Sequence, residues 1–224
     1  MTRSFWPAAF LIGLAVAFFG SLIFAAVTFP HGYHWRSEVM SSLASPRQNP
    51  TAYRVASYGM AVSGVFLSLL GLCLRASLQA YAPKKWTHWA GFFFVLGGVL
   101  LTISALLTPG YHAYFGLQKA HAKFAQAAGA SFGFGMVLNL PALFALPAAQ
   151  RGMRLAAILL VVVPVGSYLL CRVLLSGEVL PASIEAILQP TVLGSLSFWE
   201  WIGSVSVYLY TALIVLVLRP NFKE

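Results

Sequence analysis

Six stretches of this chain are apolar for long enough to cross the hydrocarbon of a bilayer, and no other feature constrains the fold as strongly. They are Phe5–Phe29, Tyr53–Leu78, Trp86–Thr108, Ala120–Leu146, Leu155–Leu175 and Ser197–Leu218, numbered here as spans 1 to 6. A helix rises about 1.5 Å per residue, so about 20 residues cross roughly 30 Å of hydrocarbon. Inside lipid the backbone N–H and C=O groups have no water to bond, which leaves helices or closed barrels as the spanning structures. Barrel strands alternate in polarity with period two, and that alternation is absent. The expected fold is all-α: a single domain over residues 1–224, forming a polytopic membrane bundle of about six transmembrane helices.

Composition agrees. Of the 224 residues, 59% are hydrophobic and 8% charged, with a mean hydropathy of +0.81. A soluble domain carries about a quarter charged residues. The net charge is +9, from fourteen Lys and Arg against five acids, all of them Glu. These charges fall singly between apolar blocks and make no basic face with interleaved aromatics, which excludes nucleic-acid binding. Cys73 and Cys171 each sit inside an apolar block without a partner at metal-ligand spacing, where a thiol behaves as a small hydrophobe. The run from Phe5 to Phe29 is too long for a signal-peptide core and lacks a small-x-small cleavage site, so it reads as a retained first span.

Loop charges set the expected topology. With the N-terminus inside, the cytoplasmic segments hold Arg3, Arg75, Lys84, Lys85, Arg151, Arg154, Arg219 and Lys223, against Arg36, Arg47, Arg54, Lys119, Lys123 and Arg172 outside. Positive residues favour the cytoplasmic side, so both termini are expected in the cytoplasm, in a bacterial inner membrane. Span 1 carries small residues at Gly13, Ala17, Ser21 and Ala25, and span 4 at Ala125, Gly129 and Gly133. Such stripes let helix backbones approach closely, and spans 1 and 4 are expected to cross near Ala17 and Gly129. Pro141 and Pro164 can kink spans 4 and 5.

Polar residues gather at one end of this scheme. His31, His34, His112 and His121 all fall in outer loops or at outer span ends, as do Arg36, Glu38, Ser41, Arg47 and Glu200. The loop between spans 1 and 2 is long enough to have a function of its own. Ser37–Ala44 is expected to form a short helix, with Glu38 one turn from Ser41 and Ser42 and with Trp35, Val39 and Leu43 on the opposite stripe. The candidate ligand-binding set is Arg36, Glu38, Ser41, Arg47, His121 and Glu200, placed around one outer cavity because ionisable groups near hydrocarbon persist when paired, hydrated or used. No cofactor is expected. If a metal were held, its ligands would come from His31, His34, His112 and His121, though histidines beside Tyr33 and Trp35 more often belong to an interfacial belt.

Within the same loop, Met40-Ser41-Ser42-Leu43-Ala44, then Pro46 and Asn49-Pro50, resembles the Ile-Ser-Asp-Leu-Gly and Pro-x-Asn-Pro pattern of a bacterial six-helix family of unknown function. That family is itself distantly similar to the eukaryotic damage-regulated autophagy modulator (DRAM-type) proteins. His121 occupies the place of a histidine that opens the family's span 4, whereas Ser42 and Ala44 stand where the family has an acid and a glycine. The resemblance covers spans 1 to 4 and implies a six-span fold, with a link to lipid or membrane homeostasis among the eukaryotic relatives and no established reaction.

Three functions fit. The first is a membrane protein whose outward-facing polar site binds or handles a lipid or amphiphile headgroup, with membrane lipids as partners. The second is a metal-dependent intramembrane lipid hydrolase, against which count the lack of Asp and of ordered His spacing. The third is a structural or assembly subunit packed against partner membrane subunits. A catalytic serine is disfavoured by the absence of a Gly-x-Ser-x-Gly elbow, and a transporter by the absence of an inverted repeat.

Overall fold

A computed structural model describes residues 5–107, 113–114, 117–118, 120–145, 151–175 and 195–218. The chain is a helical bundle. Span 1 is one rod made of an α-helix, Phe5–Ala15, a π-helical turn, Val16–Gly20, and a second α-helix, Ser21–Val27. Spans 2 and 3 are the helices Tyr53–Leu78 and Lys84–Leu106. Span 4 runs Ala120–Leu138, breaks at Asn139 and resumes as Leu140–Phe144. Pro141 lacks the N–H that would continue the ladder, which explains the break. Spans 5 and 6 are Arg151–Leu175 and Leu196–Leu218. The strand-like pieces among the described residues are a two-rung hairpin, β1 (Ala113–Tyr114) with antiparallel β2 (Leu117–Gln118), between spans 3 and 4.

Five of these helices are long and apolar enough to cross a membrane. In the fifth span, 25 residues long, the apolar stretch among the described residues is Arg154–Val163. The outward faces are greasy: Ile12 is 65% exposed, Val27 80% and Phe134 59%. Water would penalise so much open apolar surface, whereas lipid is its natural solvent. The protein is therefore an integral membrane protein.

Glycine decides the closest crossings. Span 2 packs along span 3, and span 3 along span 4. A Cβ on Gly64 would strike the Gly98 carbonyl and Thr102, and one on Gly98 would strike Ser68 and the Gly64 carbonyl. The backbones touch there, and hydroxyls bond across the gap: Thr102 Oγ1 donates to Ala61 O at 3.0 Å and Ser68 Oγ to Val95 O at 3.3 Å. Lipid supplies no hydrophobic drive for association, so this close packing and hydrogen bonding replace it.

The small stripe of span 1 behaves differently from expectation. It meets span 2, where Gly59 lies against Ser21 and the Ala17 carbonyl and Gly13 lies against Phe66. Gly129, the expected contact on span 4, faces open space. The expected crossing of spans 1 and 4 at Ala17 and Gly129 is thus corrected. Span 4 uses other residues of its length, packing Phe132 on Gly97 and Gly135 on Phe94 of span 3. Small residues license a close approach but do not name the partner.

At the centre, Phe94 of span 3 stacks on Tyr210 of span 6 at 6.3 Å and tilts against Phe132 of span 4 at 5.8 Å. Tyr210 is fully buried and its hydroxyl faces Asn139, also buried, without closing a hydrogen bond of good geometry.

Candidate functional site

The loop from Pro30 to Pro50 folds back over the start of span 6, and each fastening follows from an orphaned polar group. Its helical piece is a 3-10 turn, Met40–Ala44, rather than a helix from Ser37, because Val39 is extended at φ −62° and ψ 146°. A helical start leaves backbone N–H groups without partners, and Val39 offers no side-chain cap. Glu200 supplies one from span 6: its Oε2 accepts the Met40 N–H at 2.7 Å, and the Ser41 N–H also bonds this carboxylate. Glu200 therefore caps a turn distant in sequence.

Two further contacts fix the same junction. Ser195 Oγ donates to the Arg36 carbonyl at 2.7 Å. Trp201 Nε1 donates to the Tyr33 hydroxyl at 3.1 Å, and that hydroxyl donates to the Glu38 carbonyl at 2.9 Å. Burial pushes the Tyr33 phenol up from 10 to about 12, because the phenolate would lose its water.

Asn49 anchors the other end of the loop. It is fully buried. Its Nδ2 donates to the Ala25 carbonyl of span 1 at 3.0 Å and to the Leu43 carbonyl at 3.2 Å, while its Oδ1 accepts the Ala52 N–H at 3.3 Å. One amide thus joins the end of span 1, the 3-10 turn and the entry to span 2. Beside it the Ser42 hydroxyl is buried without a partner, as is Ser57 on span 2.

The sequence-predicted residues divide accordingly. Ser41 and Glu200 come together, but through the Ser41 backbone. Glu38 is not one helical turn from Ser41; its Oε2 accepts the His34 N–H at 2.7 Å, closing the loop on itself. Arg36 and Arg47 are exposed, with the Arg36 guanidinium 5.3 Å above the Trp35 ring. His121 takes its hydrogen bonds elsewhere: Nδ1 lies 2.8 Å from the Ser104 carbonyl of span 3, and Ser104 Oγ donates to the His121 carbonyl at 3.0 Å. The carbonyl contact requires the proton on Nδ1. His121 therefore staples spans 3 and 4, while Glu200 staples the loop to span 6. On the stripe expected opposite them, Leu43 is buried and Trp35 is exposed.

Of the metal candidates, His31 and His34 are exposed, and His112 lies outside the described residues, as do Glu178 and Glu185. Among the described residues no three His, Cys, Asp or Glu side chains converge. Sequence reasoning passed over Asn49, Tyr33, Ser195 and Trp201 as site residues. Asn49 had a visible signal, an amide between Gln48 and Pro50 at the mouth of an apolar span. Trp201 had none, since it reads as one of several interfacial aromatics.

Compared with family models, curated proteins and solved structures, the chain has no significant match in any of the three.

Proposed function

We propose that this protein is a lipid-handling membrane protein whose outer rim, the face formed by the Pro30–Pro50 loop and the start of span 6, receives the headgroup of an anionic amphiphile. One observation carries the reading. The loop is held rigidly by Glu200, Asn49 and Trp201, while its two guanidinium groups, Arg36 and Arg47, stand exposed. Both described carboxylates are engaged with backbone N–H groups, Glu38 with His34 and Glu200 with Met40. Guanidinium groups bind phosphate and carboxylate bidentately, and Trp35 beside Arg36 has the amphipathic ring that settles at headgroup depth. The resemblance of the loop to the six-helix family, and that family's DRAM-type relatives, points toward lipid homeostasis in the same way. The proposal includes a bacterial plasma membrane, with both termini in the cytoplasm and the loop outside.

The test is lipid retention on the purified chain, measured by native mass spectrometry. Arg36→Gln with Arg47→Gln is expected to weaken retention of one anionic phospholipid per chain about tenfold or more, each cation near a membrane surface contributing about 1 kcal/mol. Unchanged retention would refute the rim as the headgroup site.

A further inference from the structure

The opposite end of the bundle holds a second polar feature. Spans 2 and 3 run antiparallel, so the last turns of one lie beside the first turns of the other. Between them is a recess of about 410 Å³ lined by Arg75, Gln79, Lys84, Lys85, His88 and Trp89. Farther along the same two helices lies another of about 310 Å³, lined by Val65, Leu69, Val99 and Ile103 with Ser68 and Thr102.

Helical spacing joins the two recesses. Val65, Ser68, Leu72, Arg75 and Gln79 recur three or four residues apart on span 2, as do Lys85, His88, Phe92, Val95, Val99 and Thr102 on span 3, which places each set on one face. Leu72 and Phe92, between the recesses, are 48% and 47% exposed. The seam is therefore a lipid-facing groove, basic at one end and apolar at the other. From Arg75 to the Val65–Ser68 turn is roughly 10–15 Å at 1.5 Å per residue, which suits an acyl chain hanging from a headgroup.

The basic end is built rather than incidental. Gly91 is buried, and a Cβ there would fall 2.9 Å from Cβ and Cδ of Arg75. The missing side chain lets the Arg75 stem lie flat on span 3, holding the guanidinium at the recess. Span 3 begins at Lys84 with no side-chain cap and no acid in its first turn. Its positive dipole end adds to the two ammonium groups. Both described glutamates belong to the other end of the bundle, beside the loop. Trp89 is 52% exposed at the rim.

We propose that this seam binds one anionic glycerophospholipid, its phosphate held by Arg75, Lys84 and Lys85 and one acyl chain laid over Leu72 and Phe92 into the apolar recess. The site is separate from the outer rim and stands whether or not that rim binds lipid.

To keep the two apart, the test uses the full chain carrying Arg36→Gln and Arg47→Gln. Binding of phosphatidylglycerol and phosphatidylcholine is titrated by native mass spectrometry, with inorganic phosphate as competitor. The expected result is one phosphatidylglycerol bound about tenfold or more tighter than phosphatidylcholine, a preference lost in Arg75→Gln/Lys85→Gln. Lys84→Gln/Lys85→Gln changes exposed side chains only and should weaken binding at an unchanged melting temperature. Val99→Trp, which fills the apolar end, should weaken it without touching a charge. Undiminished phosphatidylglycerol preference in both charge variants would overturn the site. Binding that survives Val99→Trp but yields to inorganic phosphate would make free phosphate the ligand and overturn the lipid assignment.

Discussion

Asn49 shows how one buried amide organises a loop. Its side chain serves two carbonyls and one N–H drawn from three segments. Asn49→Ala would leave all three buried groups without these partners, and each such loss costs about 1–3 kcal/mol. The expected outcome is a fall of about 3 kcal/mol or more in stability, read as a large drop in the detergent melting temperature. Tyr33 supplies a pH dependence. Its folded pKa of about 12 lies above the ordinary 10, so the folded state holds the phenolic proton more tightly than the unfolded chain does. That contribution is fully present below pH 10 and is lost as pH rises through 12. The wild type should therefore lose stability over that window more steeply than Tyr33→Phe; parallel alkaline limbs would show that Tyr33 does not couple to folding. Individual residues were the least legible scale in the sequence. Glu200 and Ser41 were singled out for chemistry, yet they meet because a 3-10 turn needs a cap, and His121 was bound to Ser104 rather than to either. Periodicity and charge show that a polar group near lipid needs a partner; they do not show which.

Secondary structure was far more legible. Span 2 has the expected bounds, Tyr53–Leu78, and the other helices begin and end within a few residues of the apolar blocks. A hydrophobic block in lipid has one way to satisfy its backbone, so length and hydropathy suffice. Pairing is a different matter. The span 1 stripe read correctly as a packing face but met span 2, where Gly59 leaves room for Ser21 and the Ala17 carbonyl. Two substitutions separate a packed glycine from an open one. Gly98→Leu would force a side chain into the Gly64 carbonyl and Ser68, and overpacking of this kind costs about 1–3 kcal/mol. Gly129→Leu enters open space and should stay within about 0.5 kcal/mol of wild type. Thermal unfolding in detergent compares them directly. A larger loss at Gly129 than at Gly98 would mean that the helices pair differently.

For the molecule as a whole, the two polar features lie at opposite ends of the bundle. The loop sits at the start of span 2, and the basic turn at its end, 26 residues later. That separation, together with an even number of spans, supports the central proposal, a six-crossing bundle with the Pro30–Pro50 loop outside and the Lys84–Lys85 turn inside. It accounts for the greasy outer faces, the capped loop and the placement of cations. Cysteine accessibility in intact cells tests it most directly, after Cys73 and Cys171 are replaced by serine. Trp35→Cys and Lys84→Cys each put a thiol at an exposed position, whereas Met40 is buried beneath the loop and would report poorly. A membrane-impermeant maleimide should label Trp35→Cys in intact cells and Lys84→Cys only after the membrane is opened. Labelling of both in intact cells, or of Lys84→Cys alone, would contradict it.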